Sequence, residues 1–210
     1  MELNDKQLNK LENGREYRAM VMEVRAVDGN EESMIVEGYA TTFSQPYLLY
    51  DGRYYKIIEE IAPTAFSECD MSDVIMQYDH TGRVFARTRN GTLTLTVDAI
   101  GLKVTADLSG TDIGRQLYQE IKGGYTDKMS FGFVVTEDQR VSTEDYETGV
   151  ETVTRTITKI KKLYDVSAVS IPANDMTSIS ARRFADGVID EIKAERLERA
   201  KKKLKLMLEV

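Results

Sequence analysis

The stretch VIMQYDHTGRVFARTRNGTLTLTVDAIGLKVTADL, residues 74–108, decides the fold class. It divides into four extended segments, VIMQYDH (74–80), RVFARTRN (83–90), TLTLTVDA (92–99) and GLKVTADL (101–108). Each is rich in β-branched or aromatic residues, and turn signals at Thr81-Gly82, Asn90-Gly91 and Ile100-Gly101 separate them. Connections this short reverse the chain, so they predict antiparallel neighbours.

The same texture extends upstream. YRAMVMEVRAV (17–27) and SMIVEGYATTF (33–43) read as strands around a turn at Asp28-Gly29-Asn30. Ser44 to Arg53, with Pro46 and Asp51-Gly52, reads as a loop feeding the strand YYKIIEEI (54–61), and AFSECDMSD (65–73) as a short connector. Residues 1–16 are polar and uneven and read as a flexible lead-in.

Downstream, Thr111-Asp112 looks like an N-cap opening a helix through IGRQLYQEIK (113–122), which closes at Gly123-Gly124. Ile113, Leu117 and Ile121 recur at helical spacing, so this helix packs on a sheet. MSFGFVV (129–135) is a strand, and Thr136 to Val153 is a polar excursion with Glu147-Thr148-Gly149 at a hairpin tip. A long strand, TRTITKIKKLYDVSAVSIPA (154–173), ends at Pro172-Ala173-Asn174. Residues 187–210 switch to helical period, with six basic residues against one acidic between Arg196 and Lys205.

The expected fold is therefore mainly β (α+β): a closed or partly open antiparallel β-barrel over 17–180, with flanking helices and a basic amphipathic helical arm over 181–210. At 210 residues the chain is long enough to bury roughly 70% of its unfolded surface without a staple.

Composition removes several kinds of chemistry. One histidine, His80, and one cysteine, Cys69, leave no disulfide framework, multi-cysteine zinc site or two-histidine hydrolase. A hydrophobic share of 41% and a charged share of 30% describe a globular chain, and no apolar run nears the roughly 20 residues of a spanning helix. The first 16 residues lack the pattern of a secretory signal, so a cytosolic location is the default expectation. A net charge of −7 argues against bulk nucleic-acid binding. In the arm, Leu197, Ala200, Leu204 and Leu208 repeat at helical spacing, which favours a protein partner.

Three residues stand out chemically. Strand alternation places Met129, Phe131, Phe133 and Val135 on one face, and Ser130 with Gly132 on the other. Read locally, Ser130 is a solvated strand serine and His80 an exposed turn residue whose neighbour Asp79 points away from the ring. Asp165 lies inside a strand that disfavours aspartate and shares a face with Ser167. Cys69, beside Glu68 and Asp70, is a poor nucleophile, because acidic neighbours raise a thiol pKa.

Taken together, EGYATTF (37–43), the segment ending at His80, Met129-Ser130-Phe131-Gly132-Phe133 and Val166-Ser167-Ala168-Val169-Ser170-Ile171-Pro172-Ala173 resemble the prohead (capsid maturation) proteases of tailed bacteriophages. The resemblance spans about residues 20–180. It implies a serine endopeptidase with a fold similar to the herpesvirus assembly protease, with Ser130 as nucleophile, His80 as base and Asp165 as the acid, where many relatives carry glutamate. That mechanism suits the residue types: a serine hydroxyl needs an adjacent base, an imidazole ordinarily titrates near neutral pH, and a third group fixes its tautomer.

The resemblance further implies scaffold and capsid proteins as substrates, a site of action inside the immature capsid in the host cytoplasm, self-cleavage, and no cofactor or metal. No membrane and no specific nucleic acid is expected as a partner, and self-association is left open. For the oxyanion, main-chain N–H groups near Ser130, the Gly123-Gly124-Tyr125 turn, Arg87 and Arg89 all stay open. The competing reading is a non-catalytic structural virion protein, such as a tail-tube or capsid-associated β-barrel. A peptide-binding module using a sheet edge is a third.

Overall fold

The computed structural model describes residues 5–23, 25–26, 34–170 and 175–208. The expected turn at Asp28-Gly29-Asn30 and the strand end at Pro172-Ala173-Asn174 lie outside the described residues. The chain is mainly β, with 49% strand against 26% helix.

In chain order the elements are α1 (Asp5–Glu12), β1 (Glu16–Glu23), β2 (Arg25–Ala26), β3 (Ile35–Thr42), β4 (Tyr47–Asp51), β5 (Tyr55–Ile61), β6 (Ile75–Tyr78) and β7 (Thr81–Arg87). Then come β8 (Leu93–Val97), β9 (Gly101–Asp107), α2 (Asp112–Lys122), β10 (Lys128–Asp145), β11 (Val150–Val169) and α3 (Asp175–Leu208). Two sheets form. The larger runs β1-β10-β11-β5-β4, with β6 also paired to β11 and β7 to β6; the smaller runs β2-β3-β9-β8. No closed barrel forms among the described strands.

The antiparallel expectation needs correction at the centre of the larger sheet. The first half of β11 pairs parallel with β5 (Arg155 opposite Glu59) and its second half parallel with β6 (Ser167 opposite Gln77). Short turns fix direction only between consecutive strands, and β11 returns to β5 and β6 after several intervening elements. Three local readings also shift. Ser44 to Arg53 holds the strand β4 rather than only a loop, because Tyr47 to Asp51 pairs with β5. The β6–β7 turn centres on Asp79-His80 rather than on Thr81-Gly82. The C-terminal helix begins at Asp175, ahead of the expected 187, since its first turns already pack against the sheet through Ser180 and Ala185. The polar lead-in contains α1, whose Leu11 is buried on Tyr17.

One main core lies between the sheets. Met129, Phe131, Phe133, Val166 and Ala168 from the larger sheet meet Val36, Leu102, Val104 and Ala106 from the smaller, with Leu117, Tyr118 and Ile121 of α2 packed beside them. The helix starts as its sequence demands, with Thr111 Oγ1 accepting from the Gly114 N–H at 3.1 Å. A smaller cluster joins Ile57 and Val153 to Ala185 and Val188 of α3. Beyond Ile192 the helix is exposed, and Leu197 and Leu204 of the predicted apolar stripe have no cover among the described residues.

Candidate active site

The site is built on the face of the larger sheet away from the main core. Alternation along β10 sends Met129, Phe131 and Phe133 into the core and Ser130 and Gly132 to the other side. In the ladder Ser130 lies opposite Ala19 of β1 and Ser167 of β11, while Gly132 lies opposite Tyr17 and Asp165. The register slips just after Gly132, a bulge of the kind that re-aims side chains beside functional sites.

His80 arrives from the third strand in the row. Tyr78 pairs with Thr81, leaving Asp79 (φ 48°) and His80 (φ 58°) as the two central residues of a tight hairpin turn. Both sit in the left-handed region, which costs a non-glycine residue free energy and concentrates at functional sites. The turn is pinned from two sides. The Asp79 N–H donates to the Ala168 carbonyl (3.0 Å) and its carboxylate accepts from Ser170 Oγ (3.2 Å), while Lys10 Nζ of α1 donates to the His80 carbonyl at 3.4 Å.

These constraints produce one hydrogen-bonded line. His80 Nε2 lies 2.5 Å from Ser130 Oγ, and His80 Nδ1 is hydrogen-bonded to Asp165 Oδ1. Ser167 Oγ donates to Asp165 Oδ1 at 3.2 Å and lies the same distance from Nδ1. The Tyr17 ring meets the imidazole edge to face, centroids 4.6 Å apart. The single Ser130 proton has two acceptors within reach, since Oγ also donates to the Arg18 main-chain carbonyl at 2.8 Å.

Ser130 and His80 have no exposed surface and Asp165 has 1%. The local reading of a solvated serine and an exposed turn histidine is thereby corrected: alternation identifies a face but not what covers it. Burial pushes the Asp165 carboxyl up, but the charge and hydrogen bond of His80, followed by the charges of Arg15 and Lys10, more than offset this and hold it below the usual carboxylate range.

The other candidates fall elsewhere. Arg87 is committed to Asp73 through two contacts of 2.6 Å, and Arg89 is exposed in a short 3-10 turn. Tyr125, after the Gly123-Gly124 turn, is 82% exposed. Cys69 is half-buried and unpaired, and burial pushes its thiol up to about 11, too high for a thiolate at neutral pH. An open cleft of about 320 Å³ between α2 and the β6–β7 hairpin is lined by Tyr78, Phe85, Ile113 and Leu117 and includes none of the three site residues.

Gly132 is the close-approach residue of the site. A Cβ there would stand 2.5 Å from Asp165 Oδ2 and 2.7 Å from the Tyr17 ring. Gly132→Ala should therefore push the carboxylate off the imidazole while the strand persists. A displacement near 1 Å lowers turnover by about 10²-fold. Cleavage rates alongside circular dichroism check this; a fully active, folded Gly132→Ala would show that the carboxylate position does not matter.

A serine hydroxyl, an imidazole and a carboxylate in this hydrogen-bond order are the arrangement that serine hydrolases use. The family described as caudovirus prohead serine protease matches residues 20–190, and the chain belongs to that family. Membership makes it a serine peptidase with a role in capsid maturation. No curated protein and no solved structure matches the chain.

Proposed function

We propose that this protein is the endopeptidase that cuts the scaffold and capsid proteins inside the immature phage shell, with Ser130 as nucleophile, His80 as general base and Asp165 as the orienting acid. The observation that carries the reading is the continuous Ser130–His80–Asp165 line, assembled from β10, the β6–β7 turn and β11. Ser130 passes its proton to Nε2 as Oγ attacks the substrate carbonyl carbon. The imidazolium, stabilised by Asp165, then gives that proton to the leaving amine, and water releases the acyl group by the same route in reverse.

Ser130 is buried, so a peptide reaches Oγ only when the groups covering that face move, among them Tyr17, whose ring packs on His80. The exposed basic arm, with Leu197 and Leu204 uncovered, suits docking on acidic helical segments of the scaffold or capsid protein and is accessible to self-cleavage. As a non-catalytic virion protein, the chain would have no use for a coupled, buried serine–histidine pair.

The test is co-expression with the capsid and scaffold proteins of the same phage. The unaltered chain should shorten both, and His80→Gln, which keeps the size but not the basicity, should leave them full length. Because His80 is the only imidazole, no other histidine can substitute. Equal processing by His80→Gln would return the assignment to a structural role.

A further inference from the structure

Asp165 has one oxygen in use and one orphaned. Oδ1 is bonded to His80 Nδ1 and accepts from Ser167, whereas Oδ2 is buried without a hydrogen-bond partner among the described residues. An uncompensated carboxylate oxygen is costly in a buried site, so a nearby cation carries weight. Arg15 supplies one. Its Nη1 lies 3.9 Å from Oδ2, with the side chain only 18% exposed.

The guanidinium is also held in place. It stacks on the Tyr164 ring at 3.6 Å and donates to the Tyr17 hydroxyl at 3.4 Å, while the Tyr17 ring packs on His80. Lys10, Arg15 and Tyr17 all precede residue 20, where the family match begins. This wall of the site is therefore built from a part of the chain outside the matched segment.

We infer that Arg15 is a positioning residue for the Ser130–His80–Asp165 site, anchoring the second oxygen of Asp165 so that the first stays on His80 Nδ1. The inference rests on the reading of those three residues as a catalytic triad. Arg15 works through Asp165 and touches no reacting atom. Without the Arg15 cation, Oδ2 loses the ion pair that holds the carboxylate, and Oδ1 is free to turn off Nδ1.

The test compares Arg15→Met, which keeps the stem without the charge, with Arg15→Lys, which keeps the charge without the fork, in the full chain. Two readouts are used: the rate of fluorophosphonate addition to Ser130, and the proton NMR signal of the hydrogen-bonded Nδ1–H of the single imidazole. Arg15→Met should slow labelling about tenfold and move the Nδ1–H signal upfield as the carboxylate leaves it. Arg15→Lys should restore most of the rate and of the signal. A thermal melt of each variant separates this from loss of fold. If the Nδ1–H signal is the same in Arg15→Met and the unaltered chain, the positioning role is wrong. If no variant is labelled at Ser130 but the Nδ1–H signal still moves, the positioning inference stands and the nucleophile assignment fails.

Discussion

Ser130→Ala should give a folded protein that no longer shortens capsid or scaffold protein in a co-expression assay. The expected loss is about 10⁶-fold in turnover, because in the proposed mechanism removing the nucleophile disables the triad as a unit and leaves only substrate binding and oxyanion stabilisation. The effect on stability should be far smaller. The hydroxyl donates to the Arg18 carbonyl and lies against His80, so its removal leaves buried acceptors short of a proton, at a cost of about 1–3 kcal/mol. Backbone pairing of β10 with β1 and β11 does not involve that side chain. Intact mass after long incubation at high concentration gives a parallel reading: the alanine variant should keep its C-terminal arm even where the unaltered chain trims it. Processing that survives the substitution would remove Ser130 from the chemistry, whatever the neighbouring distances.

The path to Ser130 and His80 shows what a sequence can and cannot convey. Alternation along MSFGFVV correctly paired Ser130 with Gly132 on a face opposite the core residues, because that pattern is local. The covering of that face is not local. It depends on Tyr17, on the start of α3 and on a tight turn in which Asp79 and His80 both take positive φ. No feature of Asp79-His80-Thr81-Gly82 announces that turn, since the glycine beside it is the more obvious turn residue. Asp165 was suspicious as an acid within a strand, and the structure gives it a reason, a buried partner across the sheet. Arg15 carries no signal in the sequence, since it falls in a polar stretch with no period. The parallel pairing of β11 was illegible for a different reason, since it joins segments nearly a hundred positions apart with no connecting turn to set their direction.

Glu59→Ala should destabilise the fold by about 3–5 kcal/mol, because it strips the central acid from a buried charge network. Glu59 has no exposed surface, and Oε2 accepts from Arg18 Nη2 at 3.0 Å and from Arg155 Nη1 at 2.6 Å. Oε1 is bonded to Arg18 Nε and Tyr47. Glu16 and Asp138 complete the pairing of Arg155, whose guanidinium lies 4.0 Å over the Phe184 ring of α3. Removing Glu59 leaves two guanidiniums buried with too little countercharge, and Arg18 belongs to the residue whose carbonyl faces Ser130. The sequence did hold a signal for this. Ile57-x-Glu59-x-Ile61 and Val153-x-Arg155-x-Ile157 each place a charge on an otherwise apolar face, and the register sets Arg155 directly opposite Glu59. Burial pushes the Glu59 carboxyl up, but the Arg18 and Arg155 charges and their hydrogen bonds outweigh it and hold the group at about 2 rather than 4.5. A depressed folded value stabilises the protein above the unfolded one, so this contribution is complete above about 4.5 and is lost as pH falls toward about 2. Glu59→Gln keeps the shape without the charge, so the stability gap between it and the unaltered chain should narrow over that same window. Urea midpoints measured from pH 7 down to 2 decide the matter: a gap that stays constant with pH would mean that Glu59 acts by packing rather than by charge.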